Sequence, residues 1–544
     1  VSLKSSRRRF LQRSLQGIAI TGISEVLTNT FFNSLVSKAF AQGVSNAQVG
    51  PNPGGYYFNL HMFGAPPRWA FDLPLTPNGK TAQNFVPGNF GTGFTKTNNQ
   101  IQLTYNPVQK TIGGKTLWLP PVWNYHTSRN FDQVLANTLF IRGMDMELNS
   151  HNLGTSRNVS PNVGGLSIQG AVADKSNRAL ASIVDNRCAT STAFKSSKGF
   201  VPSSANTGNA TANIAALLLR AFKPIPNSRM HHKDQSLALQ DQVFSQLESE
   251  MANMGFSKSA IESSYENATQ LIDENIQSLG ERYPAVKAKY ESLITEAFTP
   301  AAGSLPGLNS TSIPVSATDP RFNVGSGITA SAIGHSDLRN LSNSSISALG
   351  VAQSFALMEI FTNKLSTNFT MTMGHPIGVP ISASRSVPIA HDQHFTGSIF
   401  STYITTLYYR SLLSCLSEFV GHLKSLGIFD QSIIHVTGDF NRNPRQDGSG
   451  ADHGIEGSNA TIISGKINSP MVIGNLSKNS RGLGTWGGSA SLNFGPEQRP
   501  IKVNDVARTI TSMLGVQDVV SNGFPLMKYQ GGIWVPQYEE AENV

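Results

Sequence analysis

The stretch Ile433-Ile434-His435-Val436-Thr437-Gly438-Asp439-Phe440-Asn441-Arg442 decides the fold. A short, β-branched apolar run closed by glycine reads as a buried strand, and a carboxylate follows it at once. Upstream, Ile399 to Leu426 has the length and spacing of a long helix, and Gly427 ends it as a C-terminal cap. Further back, Val351 to Asn363 reads as a helix and Asn368 to Met373 as a strand. Further on, Lys502 to Leu514 reads as the last helix. Helix and strand alternating in this way predict an α/β fold with mostly parallel strands in a central sheet flanked by helices.

The front of the chain fits the same sheet. Tyr56 to Phe63 is strand-like and is stopped by Gly64-Ala65-Pro66-Pro67, and Leu139-Phe140-Ile141-Arg142-Gly143 reads as a second core strand. Residues 74–125 hold many Pro, Gly and Asn and read as a layer of loops. Residues 234–298 are rich in Gln, Glu, Lys, Ala and Leu. There Leu237, Val243, Leu247, Met251 and Met254, and then Ile272, Ile276 and Leu279, fall near helical spacing, so a helical insertion is predicted.

The chain has 544 residues, 39% apolar and 14% charged, with a net charge of +8. The charged share is well below the usual quarter or so, and 63 Ser and 43 Asn fill the gap. Collagen, coiled coil and a charged disordered chain are excluded by that balance. No apolar run reaches the roughly 18 residues of a membrane span. The positive charge is concentrated at the front: Lys4, Arg7, Arg8, Arg9, Arg13 and Lys38 lie within residues 1–41, against one acid, Glu25. Ser6-Arg7-Arg8-Arg9-Phe10-Leu11-Gln12, a weakly apolar run Leu15 to Ile23, and Ala39-Phe40-Ala41 follow the order of a twin-arginine export signal with a cleavage site. Residues 1–41 are therefore expected to be a signal peptide that engages the twin-arginine export machinery, with residues 42–544 as one periplasmic or secreted domain. The remaining body is nearly neutral, which speaks against a nucleic-acid partner. Of the two cysteines, Cys415 sits in an apolar helical stretch and reads as a buried free thiol, while the pairing of Cys188 stays open.

Familiar catalytic patterns fail. Gly113-Gly114-Lys115-Thr116 lacks the glycine that a phosphate loop needs at position 109, which is Gln109. No nucleophile elbow, zincin helix or dinucleotide fingerprint is present. What remains is three acid–histidine clusters: His391-Asp392-Gln393-His394, Gly438-Asp439-Phe440-Asn441-Arg442, and Gly450-Ala451-Asp452-His453-Gly454. In open α/β sheets ligands bind beyond the carboxyl ends of the strands. Imidazole with carboxylate is a donor set for a borderline divalent metal, zinc first, with manganese or calcium as alternatives. Asp392-x-His394 can present both side chains to one ion. Asp452 and His453 are adjacent, so both serve a site only at a turn; otherwise one ligates and the other orients it.

These clusters resemble those of a secreted bacterial family, "domain of unknown function 1501", of the alkaline phosphatase/sulfatase-like superfamily. Asp392-Gln393-His394 resembles its Asp-Thr-His, Asp439-Phe440-Asn441-Arg442 its Glu-Phe-Gly-Arg, and Asp452-His453-Gly454 its Asp-His pair. Val503-Asn504-Asp505-Val506 to Leu514-Gly515 is similar to its final helix, and Ile141-Arg142-Gly143-Met144 with Asn149-Ser150-His151 to its Arg-Ser…His segment. The resemblance spans roughly residues 56–535. It implies an alkaline-phosphatase-like central mixed sheet and a metal-dependent hydrolase acting on a phosphate or sulfate ester, from a small molecule or the envelope. It implies Asp392, His394 and His453 around one metal, with Asp439 bridging or serving a second, and with His151 and His61 as outer candidates. Arg442 would neutralise the transferred group, and Asp452 would assist. The family's serine position is Pro67, which has no nucleophile, and the first strand offers Asn59 and His61 where an acidic ligand is expected. A non-catalytic envelope-binding or surface-assembly protein on the same scaffold is the alternative.

Overall fold

The computed structural model describes residues 52–74, 93–98, 100–125, 129–162, 164–178, 180–185, 193–205, 282–297, 318–322, 350–374, 379–382, 385–387, 392–394, 396–474 and 494–540. The export segment 1–41, Cys188, His391 and residues 234–281 of the expected insertion lie outside these.

The strands of the main sheet are β1 (Tyr56–Met62), β2 (Thr138–Met144), β3 (Ile183–Asp185), β4 (Ser203–Ala205), β5 (Asn368–Met373) and β6 (Ser432–Gly438). A hairpin of β7 (Asn441–Pro444) and β8 (Ala451–Gly454) follows, and β9 (Ser458–Ile463) and β10 (Met471–Ile473) return to the sheet. The helices are α1 (His151–Val159), α2 (Ile168–Lys175), α3 (residues 282–297), α4 (Val351–Phe361), α5 (Ser398–Ser425) and α6 (Val503–Leu514). The eight-stranded sheet runs β10-β2-β9-β6-β1-β5-β3-β4. Only β9 runs against its neighbours. This is the mixed, mostly parallel sheet flanked by helices that the alternation of elements predicts.

Alternation along β1 sorts the two faces. Phe58, Leu60 and Met62 join the larger core with α3, α4 and α5. Phe58 stacks on Phe369 at 5.4 Å and meets the edge of Phe419 at 5.0 Å. The other face carries Tyr57 with Ile433, α2 and α6. β1 lies between β6 and β5, parallel to both, so the carboxyl ends of β1 and β6 stop side by side at Met62 and Gly438.

One expectation needs correction. The stretch 74–125 is not all loop: Gly93–Thr97 pairs with Gln100–Thr104, and Val108–Ile112 with Lys115–Leu119. Gly113-Gly114, which resembles the end of a phosphate loop, is the turn of the second hairpin, with φ of +61° and +78°. Of the two arrangements open for Asp452 and His453, the strand of a hairpin is found rather than a turn, so their side chains diverge. Cys415 is a buried free thiol, as expected.

Candidate metal centre

Three segments meet beyond the ends of β1 and β6. His151 opens α1. Asp392 and His394 precede α5, and between them Gln393 is buried and donates to Thr405 Oγ1 at 3.0 Å, anchoring the segment so that its two neighbours face the same region. The same segment is tied to the β7–β8 hairpin by Ala451 N donating to Gln393 O at 3.1 Å. Gly450 permits this contact, because a Cβ there would stand 2.0 Å from His394 O. His453 lies on β8.

His151, Asp392, His394 and His453 each bring one ligand atom into a group whose members all lie within 4.8 Å of one another. Each imidazole is held from behind through Nδ1. His151 Nδ1 donates to Asp439 Oδ2 at 2.6 Å, and His453 Nδ1 donates to Asn149 O at 2.6 Å. His394 Nδ1 stands 3.6 Å from Asp452 Oδ1. The opposite nitrogens turn to the centre: His151 Nε2 is 3.4 Å from Asp392 Oδ2, and His394 Nε2 is 3.5 Å from Asp392 Oδ1. His453 Nε2 is buried with no hydrogen-bond partner among the described residues. Buried polar atoms are nearly always satisfied, so an orphan nitrogen beside two imidazoles and a carboxylate fits a cation-binding position. Phe440 packs 4.1 Å from the His453 ring and 4.8 Å from that of His151, giving the group an apolar wall.

The electrostatics agree with the geometry. Burial pushes the Asp392 carboxyl up, but His151 and Arg442 outweigh it and hold the group well below the usual carboxylate range. Burial alone would lower His151; its bonds to Asp392 and Asp439 prevail and raise it to about 9. His453 is lowered to about 4 by burial and by the Arg442 charge, and His394 is lowered by the same two causes.

The remaining candidates stand around this group rather than in it. Asp439 is fully buried and both its oxygens are occupied: Oδ1 by His61 Nε2 at 2.5 Å, and Oδ2 by His151 Nδ1 and by Gly64 N at 2.7 Å. These contacts outweigh burial and draw its pKa down to about 2. Neither Asp439 nor His61 belongs to the four-residue group, because α1 packs onto the end of β6 so closely that no space is left between them. Asn158 Nδ2 donates to Gly438 O at 2.8 Å, and a Cβ on Gly154 would stand 2.1 Å from Asp439 O. His151, expected as an outer group, is a full member. Arg442 is 1% exposed, so it is not a surface ion pair. Its guanidinium donates to Asp392, to Gly64 O at 2.7 Å, to Ala65 O at 3.2 Å and to Ala451 O at 3.2 Å. Asp452 is exposed and pairs with Arg445 at 2.7 Å. Sequence reasoning missed the Asn149 carbonyl, since a backbone acceptor leaves no mark on residue type.

Comparison with family models, curated proteins and solved structures finds no match to this chain.

Proposed function

We propose that this chain is a metal-dependent hydrolase with an alkaline-phosphatase-like fold, exported by the twin-arginine route and acting on a phosphate or sulfate ester in the periplasm or outside the cell. The observation that carries the metal is the convergence of three imidazoles and one carboxylate within 4.8 Å. Three nitrogen donors and one oxygen favour zinc or manganese over calcium, which prefers oxygen. A divalent ion held there supplies Lewis acidity to an ester oxygen and to an attacking water. Asp392 is fixed by Arg442, His151 by Asp439, and the Phe440 ring keeps water from one side. The ester class rests on the resemblance of the Asp392, Asp439 and Asp452 segments to the phosphatase/sulfatase superfamily.

Elemental analysis of the purified chain, with aryl phosphate and aryl sulfate assays, tests this reading. One equivalent of metal and turnover are expected, both lost in His394→Ala. Absence of metal, or unchanged turnover in that variant, sinks it. The alternative, a binding or surface-assembly protein of the envelope, is favoured by Pro67. That residue stands where the family has serine and serves as the N-cap of the short 3-10 turn Arg68–Ala70 without offering a nucleophile. Stoichiometric metal without turnover supports that alternative.

A further inference from the structure

Behind the metal centre, the face of the sheet that packs on α2 and α6 carries a polar row within its apolar core. Tyr57, Asn59 and His61 on β1 and His435 and Thr437 on β6 alternate onto this face, with Asp439 just beyond the strand, and each is at most 1% exposed. They form a connected chain. Tyr57 Oη lies 3.0 Å from His435 Nδ1, and Asn59 Nδ2 donates to His435 O at 3.2 Å and to Thr437 Oγ1 at 3.3 Å. Thr437 Oγ1 lies 3.1 Å from His61 Nδ1, and His61 Nε2 reaches Asp439 Oδ1 at 2.5 Å. A buried polar row is costly unless it is satisfied, and an apolar face would fold as well.

From Asn59 through Thr437 and His61 to Asp439 the donors in this chain run one way. Asp439 is ionised and can only accept, so His61 Nε2 carries the proton between them. Thr155 Oγ1 donates to His151 O at 2.7 Å and lies 2.9 Å from the same Nε2, where it can accept as well. In the tautomer with Nε2 protonated, Nδ1 accepts. Thr437, which already receives Asn59, has its own proton for that nitrogen. On its other oxygen, Asp439 receives His151 Nδ1. Both rings therefore point a proton at one carboxylate, so the proton that a metal ion displaces from His151 is the one on Nε2, which faces the centre.

We propose that His61 is a positioning residue for the metal centre. It holds Asp439 against His151 from inside the sheet, and Thr437 fixes its tautomer. This rests on the metal reading above. Loss of such a supporting partner typically lowers metal affinity 10- to 100-fold.

The test uses the full chain, zinc as the probe, and three variants. His61→Phe removes the donor to Asp439 at similar volume. His61→Gln keeps an N–H near the position of Nε2. Thr437→Val removes only the hydroxyl. Zinc affinity, measured by chelator competition, is expected to fall 10- to 100-fold in His61→Phe, severalfold in Thr437→Val, and to recover in His61→Gln. A purely structural role would lower thermal stability in all three and leave affinity unchanged, and that result overturns the proposal. Nitrogen-15 spectra of histidine-labelled, metal-free protein give a second readout, independent of whether His61→Phe folds. In the wild type they are expected to show His61 protonated on Nε2 and His151 on Nδ1; His151 protonated on Nε2 alone overturns the proposal. If the wild-type chain binds no zinc, the metal reading fails while these spectra still decide the role of His61.

Discussion

Arg442 and His453 face each other across the β7–β8 hairpin, and the same guanidinium reaches over to donate to Asp392. One buried cation thus stands beside one member of the metal group and clamps another. With burial it keeps His453 neutral, and with His151 it holds Asp392 ionised against the cost of burial.

Replacing that cation by lysine keeps the charge and loses the planar fork. Arg442→Lys cannot serve Asp392 and the carbonyls of Gly64, Ala65 and Ala451 together. Metal affinity is expected to fall by about tenfold or more, the range seen when a group supporting a ligand is lost. Metal content at fixed free zinc checks this. If Arg442 instead faced the substrate, the variant would keep its metal and raise KM.

Metal binding is expected to be proton-linked through one residue. His151 is raised to about 9, so it carries a proton at pH 7, whereas His394 and His453 are lowered and carry none. A divalent ion must expel the His151 proton. Zinc affinity should therefore rise close to tenfold per pH unit between about pH 7 and 9, then level off. Calorimetry in buffers of different ionisation enthalpy should count one proton released at pH 7.5. A count near zero contradicts the arrangement of His151 between Asp392 and Asp439.

The strands and helices were legible where the chain repeats a simple pattern. The apolar run ending at Gly438 and the periodic stretch before Gly427 read correctly, because burial on both faces of a strand and one end-cap leave a mark on residue type. The hairpins within 93–119 were not legible as such. In the second of them only Leu117 and Leu119 are fully buried, so there is little apolar run to read, although Gly113-Gly114 between two short runs is a hairpin signal. Within the site, Asp392, His394 and His453 were legible as neighbours of turns and strand ends. Asp439 and His61 have the right chemistry for ligands, but α1 rests directly on the backbone of Asp439. That contact is a matter of packing, and only Gly154 hints at it. His151 was underrated because the first residue of a helix has no periodicity to mark it.

Stability is expected to fall in mild acid through His435. Burial, with the nearby charge of Arg68, depresses this imidazole to about 3. Its unfolded value is about 6.5, so the contribution is fully present above that pH and is lost as pH falls from there towards 3. Between pH 7 and 5 the loss amounts to about 2 kcal/mol. His435→Gln, which stays neutral, should be less stable at pH 7 and show a shallower decline, as read by urea denaturation at both pH values. Parallel declines in the two proteins contradict this assignment.

Gly154→Ala tests the closeness of α1 to the end of β6. The added methyl would stand 2.1 Å from Asp439 O, a backbone atom at the end of a central strand, and has no flexible side chain to push aside. The helix must therefore move, and His151 and Thr155 move with it. Overpacking of this kind costs about 1–3 kcal/mol. Metal affinity should fall as well, because the displacement pulls His151 Nδ1 from Asp439 and turns Nε2 off the centre. A neighbouring change, Ser156→Ala, removes only an exposed hydroxyl bonded at 2.9 Å to Asn152 O and should leave both quantities close to wild type. Urea denaturation and zinc competition on the two variants separate the outcomes. A Gly154→Ala protein that matches Ser156→Ala in both would mean that α1 does not sit on Asp439 and that its packing does not keep Asp439 out of the metal group.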